Sequence, residues 1–145
     1  MPRAVLSILA LSVGVTAALA QSSDPIFERK NLMKGNGAAT KIGTQMSKGE
    51  VPFDLGTAQA IFSSYEGVGR RFYTLFPESS KTGDTAAAPK LWEDPNGFKA
   101  ASEKLAADAQ KLRLQVKDAA SFKTAFGEVT KNCNACHQTY RINKS

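Results

Sequence analysis

Apolar residues recur three and four apart along most of this chain, and no stretch alternates apolar and polar residues as a strand would. That spacing commits the chain to helices, each burying one face. From Asp24-Pro25, a capping residue followed by Pro at the first helical position, Leu32, Gly35, Ala39, Ile42 and Met46 mark one face of a helix reaching Ser47. Gly35, Gly37 and Gly43 each cost that helix about 1 kcal/mol relative to Ala, a cost that close approach of another group offsets. A second helix, capped by Asp54, carries Ala58, Ile61, Tyr65, Val68, Phe72 and Leu75 and ends at Pro77. Residues 77–97 hold Pro77, Pro89 and Pro95 and read as a long connection, with Trp92 expected to lid the core. A third helix covers about 96–117, with Phe98, Ala101, Leu105, Ala109, Leu112 and Val116 on one side. After a break near 118–121, a fourth carries Phe122, Phe126, Val129, Cys133, Cys136 and Tyr140. Four such helices predict an all-α fold, an antiparallel up-down-up-down four-helix bundle.

Residues 1–20 stand apart from this pattern. Arg3 precedes an apolar run from Ala4 to about Val15, and Ala18-Leu19-Ala20 supplies the small residues of a cleavage site. This is the pattern of a secretory signal peptide cleaved after Ala20, and the run is shorter than the roughly 20 residues of a spanning helix. Residues 21–145 then form one exported domain with no stable membrane insertion, and a periplasmic location is expected. Removing Arg3 leaves 18 basic against 13 acidic residues. That mild excess favours acidic surfaces. The lysines are interleaved with acids and form no basic block, so nucleic acid is not an expected partner.

The chemistry sits near the carboxyl end, where Cys133-Asn134-Ala135-Cys136-His137 spells C-x-x-C-H, the attachment signature of a c-type haem. Helix positions i, i+3 and i+4 share a face, so two thiols and an imidazole are presented together. The thiols can join the haem vinyl groups while His137 binds iron. A redox dithiol would call for a βαβ pattern, and a structural zinc site for about four ligands where this chain has three. One covalently attached haem c is therefore expected, with Cys133, Cys136 and His137 holding it.

His137 is the only histidine, so the sixth position on iron falls to Met, an unusual ligand such as Lys, water, or nothing. In an antiparallel bundle the start of the first helix lies beside the end of the fourth. Met33 is about 12 Å into the first helix, a depth comparable to that of His137 from the chain end. Met46 lies roughly 20 Å further on and reads as core filler. Met33 points about 100° away from Leu32, on the side of Ile26 and Gly37. Packing is the other reading of that residue. Arg141 either offsets a haem propionate or ends in solvent.

C-x-x-C-H at the end of four helices, Arg29 before Leu32-Met33-Lys34, Leu91-Trp92 before Phe98, and Tyr140-Arg141 after the motif resemble the cytochrome c′ family over residues 24–141. The Met33 segment is similar to its low-spin branch, cytochrome c-556. The resemblance implies that Met33 is the sixth ligand, that the protein carries electrons to and from redox partner proteins, and that a homodimer is common. The high-spin branch has an apolar residue in that place and binds small gases such as NO and CO, which makes gas binding the alternative function. No motif supplies a general base, so an enzyme is not expected.

Overall fold

Each of the four long helices opens on an aspartate whose carboxylate accepts from a backbone N–H of the first turn. Asp24 accepts from Ile26 at 2.9 Å, Asp54 from Thr57 at 2.6 Å, Asp94 from Gly97 at 3.0 Å and Asp118 from Ser121 at 2.8 Å. The Asp118 backbone N–H returns a bond to the Ser121 hydroxyl, completing a capping box. Each cap satisfies a backbone donor that a helix start otherwise leaves unpaired. In a computed structural model, which describes residues 24–142, the helices are α1 (Pro25–Ser47), α2 (Leu55–Arg71), the single turn α3 (Lys90–Glu93), α4 (Pro95–Arg113) and α5 (Ala119–Tyr140). The long four form the expected antiparallel bundle. The signal segment and its cleavage site lie outside the described residues.

The core fills one half of the bundle. Phe62, Tyr65, Phe122 and Val129 are fully buried, joined by Ile61, Leu112, Val116, Phe126 and Met46. Phe62 meets Phe122 edge-on at 6.2 Å, and Phe122 stacks on Phe126 at 5.4 Å. Met46, 5 % exposed, fills this core as its position predicts. A second aromatic group, Phe72, Phe76, Trp92, Phe98 and Tyr140, sits toward the other end. Trp92 is half-buried there, donating its indole N–H to the Phe76 carbonyl at 3.1 Å.

Several boundaries differ from the periodicity. α2 stops at Arg71, and a 3-10 turn, Phe72–Leu75, carries the apolar stripe onward. α4 ends at Arg113, and Val116 is buried from the loop beyond it. The long connection contains a second 3-10 turn, Glu78–Ser80, as well as α3. On α1 the buried residues are Arg29, Asn36, Gly43 and Met46, whereas Gly35 and Ile42 are exposed. The inward face is rotated from the one that apolar spacing marks, because polar and glycine residues fill half of it.

Two glycines show opposite uses. A Cβ at Gly69 would lie 2.6 Å from the Ala106 backbone N and 2.7 Å from the Ser102 carbonyl O, while the Ser102 hydroxyl donates to the Gly69 carbonyl at 2.8 Å. α2 and α4 thus pack backbone to backbone, and neither atom can yield. Gly35 has open space around it. Gly69→Ala is expected to destabilise by about 3 kcal/mol through overpacking, and Gly35→Ala to stabilise by about 0.5–1 kcal/mol through helix propensity. Urea midpoints moving in opposite directions would verify the pair.

Candidate functional site

A close approach of α1 to α5 sets the register of the site. A Cβ at Gly43 would overlap the Phe126 ring, so these residues lie side by side. Met33 is ten residues before Gly43, about 15 Å along α1, and His137 is eleven past Phe126, about 16 Å along α5. In antiparallel helices those displacements run the same way, and Met33 comes level with His137. Met46 lies on the other side of Gly43, about 21 Å from that level.

Between these levels the bundle opens into a cavity of about 710 Å³. Cys133, Cys136 and His137 line it from α5, Met33 from α1, and Phe98, Ala101 and Leu105 from α4. All four predicted site residues therefore face one space. Cys133 and Cys136 are half-buried and not joined in a disulfide. Burial pushes both thiols above their ordinary pKa. Burial also lowers the pKa of His137, assisted by the Arg141 cation, which leaves a neutral imidazole with a free nitrogen lone pair near pH 7. Among the described residues no three His, Cys, Asp or Glu side chains gather as a metal-binding group.

The opposite corner belongs to Arg29, which apolar spacing had no means of finding. It is 4 % exposed and lines the cavity. Its guanidinium donates to the Ser80 hydroxyl at 2.9 Å, the Ser80 carbonyl at 3.0 Å, the Thr85 hydroxyl at 2.7 Å and the Leu75 carbonyl at 3.3 Å. It also stands 4.5 Å over the Phe76 ring. Those hydrogen-bond partners are neutral, and burial lowers its pKa, partly opposed by the Asp24 carboxylate. A buried guanidinium whose hydrogen-bond partners are all neutral suits a further anion in the cavity beside it. The same bonds pin the connection after α2 over the cavity. Its far end is tied to the end of α5, where Ala88 donates to the Tyr140 carbonyl at 3.0 Å and Ile142 to the Ala86 carbonyl at 2.8 Å.

On α1, Asn36 and Thr40 add a polar strip to the lining. The Thr40 hydroxyl gives its proton to the Asn36 carbonyl at 2.8 Å, so Tyr65 is the donor in the 2.8 Å bond between Tyr65 and Thr40. Burial pushes the Tyr65 phenol up to about 12, partly opposed by that bond and helped by nearby Cys133. The folded value stands above the unfolded one, so the stabilisation is complete below about pH 10 and is lost as pH rises toward 12. Tyr65→Phe is expected to abolish an alkaline loss of about 2–3 kcal/mol, measured as urea midpoints between about pH 9 and 12.

Two thiols and an imidazole on one helix face, an acid-free cavity and a buried guanidinium suit a flat, covalently held dianionic macrocycle bearing iron. The fold and site together define a c-type haem protein built on a four-helix bundle. The family described as Cytochrome C' matches residues 24–141. Cytochrome c' from Rhodopseudomonas palustris is 42% identical over 134 residues, spanning 92% of this chain and 91% of that relative. Cytochrome c-556 from Agrobacterium fabrum is 34% identical, spanning 88% of each chain. The solved structure of the R. palustris cytochrome c' superimposes with a TM-score of 0.82 at 42% identity, covering 85% of this chain and 99% of that one. This chain belongs to the cytochrome c' family, and its cofactor is a covalently attached haem c.

Proposed function

We propose that this chain is an exported one-electron carrier whose iron is held between His137 and Met33. The observation carrying this reading is that Met33 from α1 and His137 from α5 line one cavity at about the same level. Cys133 and Cys136 would form the thioethers, and Arg29 would answer the propionates. The haem supplies the Fe(III)/Fe(II) couple. Met ligation raises its potential, and a thioether held by a packed helix keeps the coordination shell alike in both oxidation states. No Asp or Glu lines the cavity, so with His137 on iron no general base remains there, which supports a carrier rather than an enzyme. Similarity to cytochrome c-556 of A. fabrum supports the same branch.

The signal segment, cleaved after Ala20, places the carrier in the periplasm on this reading. No helix among the described residues is long and apolar enough to cross a membrane. Its partners are redox proteins, and the family adds a second copy of this chain. An optical spectrum of the mature protein tests the assignment. A Met–iron charge-transfer band in the ferric state is expected. A five-coordinate ferrous spectrum that takes up CO on mixing would instead make this a gas-binding member of the family.

A further inference from the structure

The cavity wall carries four cations, Arg29, Lys30, Lys34 and Arg141, and no carboxylate. Lys30 is paired with Asp84 and Arg29 is buried. Lys34 on α1 and Arg141 after α5 are exposed lining residues, which puts both at the mouth. Neither has an ion-pair partner among the described residues. Away from the cavity some cations are paired, Arg70 and Arg113 with Glu66, Lys99 with Glu103 and Lys104 with Asp108, while Lys111, Lys117, Lys123 and Lys131 stand outside any ion pair among the described residues; Lys34 and Arg141 differ from these in lining the cavity. The haem adds two propionates and an iron centre that is monocationic when ferric and neutral when ferrous. Against Arg29, Lys34 and Arg141, that leaves the site net positive in both oxidation states.

The rim beside Lys34 is low. Gly37 and Asn134 are exposed lining residues, and open space surrounds Gly37 where a side chain would stand. A partner surface can therefore come close to the cofactor without displacing bulk. Lys41, also exposed and two helical turns beyond Lys34, extends the positive strip.

We propose that the cavity mouth framed by Lys34 and Arg141 is the docking surface for an acidic patch on the protein that exchanges electrons with this one. This rests on the carrier reading above. One electron crosses, reducing the iron and oxidising the partner by one unit each, and no atom or proton moves with it. Complementary charge of this kind raises encounter rates by about 10- to 1000-fold and fades as salt is added.

The test uses the holoprotein in stopped flow. Its ferrous form is oxidised by anionic ferricyanide or by cationic tris(phenanthroline)cobalt(III) over a range of ionic strength, with and without polyglutamate. The ferricyanide rate is expected to fall with salt and with polyglutamate. At about 10 mM ionic strength, where the screening length is ~30 Å, Lys34→Glu and Arg141→Glu each slow ferricyanide about tenfold and accelerate the cobalt reagent. Together they abolish the polyglutamate effect. Lys123→Glu makes the same change in net charge on an exposed turn of α5 about 21 Å from His137, and is expected to shift either rate less than about twofold. Equal effects from Lys123→Glu and Lys34→Glu would mean that only net charge matters, and would overturn the proposal. So would binding to phosphatidylglycerol vesicles with no response to polyglutamate. The absorption spectrum of each protein reports the Met–iron band independently, so failure of the carrier reading is seen separately from failure of the docking surface.

Discussion

Met33→Ala is expected to abolish the Met–iron charge-transfer band and leave a five-coordinate ferrous haem that binds CO on mixing. The potential is expected to fall by about 100 mV, roughly fiftyfold in the redox equilibrium at 59 mV per tenfold. The size follows from how few substitutes the fold offers. On the proposed reading His137 is already committed, and Met46 is buried in the core about 21 Å from its level. Lys34 is a neighbour in sequence, but it is exposed where Met33 is half-buried. Met33→Leu, nearly isosteric, should reproduce the spectral change with little loss of stability, which separates ligation from packing. Met46→Ala should do the reverse, costing about 2–5 kcal/mol with the spectrum intact. A low-spin spectrum surviving in Met33→Leu would remove Met33 from the iron.

What sequence could deliver here depended on whether a residue's partner was local. C-x-x-C-H is a local pattern whose face follows from helical geometry alone, and its three side chains line one cavity with Met33. The caps at Asp24 and Asp54 were read in the same way, and those at Asp94 and Asp118, which the structure adds, act equally locally, within three residues. Arg29 was not, because its partners are 46 to 56 residues away and a lone arginine on a helix ordinarily means solvent. The rotated face of α1 has the same origin. Asn36 is 7 % exposed and Gly43 is buried against Phe126, yet neither scores as apolar. Ile42, which does, is 43 % exposed. A helix that packs its far half on a core and its near half on a cofactor obeys no single stripe.

Preventing haem attachment is the perturbation with the largest reach. With Cys133→Ser and Cys136→Ser together, the cavity must fill, collapse or open. At about 24 cal/mol per Å³, a dry void of this volume would cost up to ~17 kcal/mol, more than the roughly 5–15 kcal/mol by which a domain this size is stable. Water can enter at the exposed mouth and lower that figure, but it cannot replace apolar contacts along Phe98, Ala101 and Leu105. The buried Arg29 would also lose the anion that suits its position. Phe62, Phe122 and Val129 are not among the residues lining the cavity and keep their own packing. The haem-free chain is therefore expected to divide along its length. Hydrogen exchange should show protected amides around Ile61–Tyr65 and Phe122–Val129. Exchange should be fast at Met33–Gly37, Phe98–Leu105 and Cys133–Tyr140, with the thermal transition broadened. Uniform protection at the holoprotein's level would mean that the bundle is complete without its cofactor, and that the cavity is built by helix packing alone.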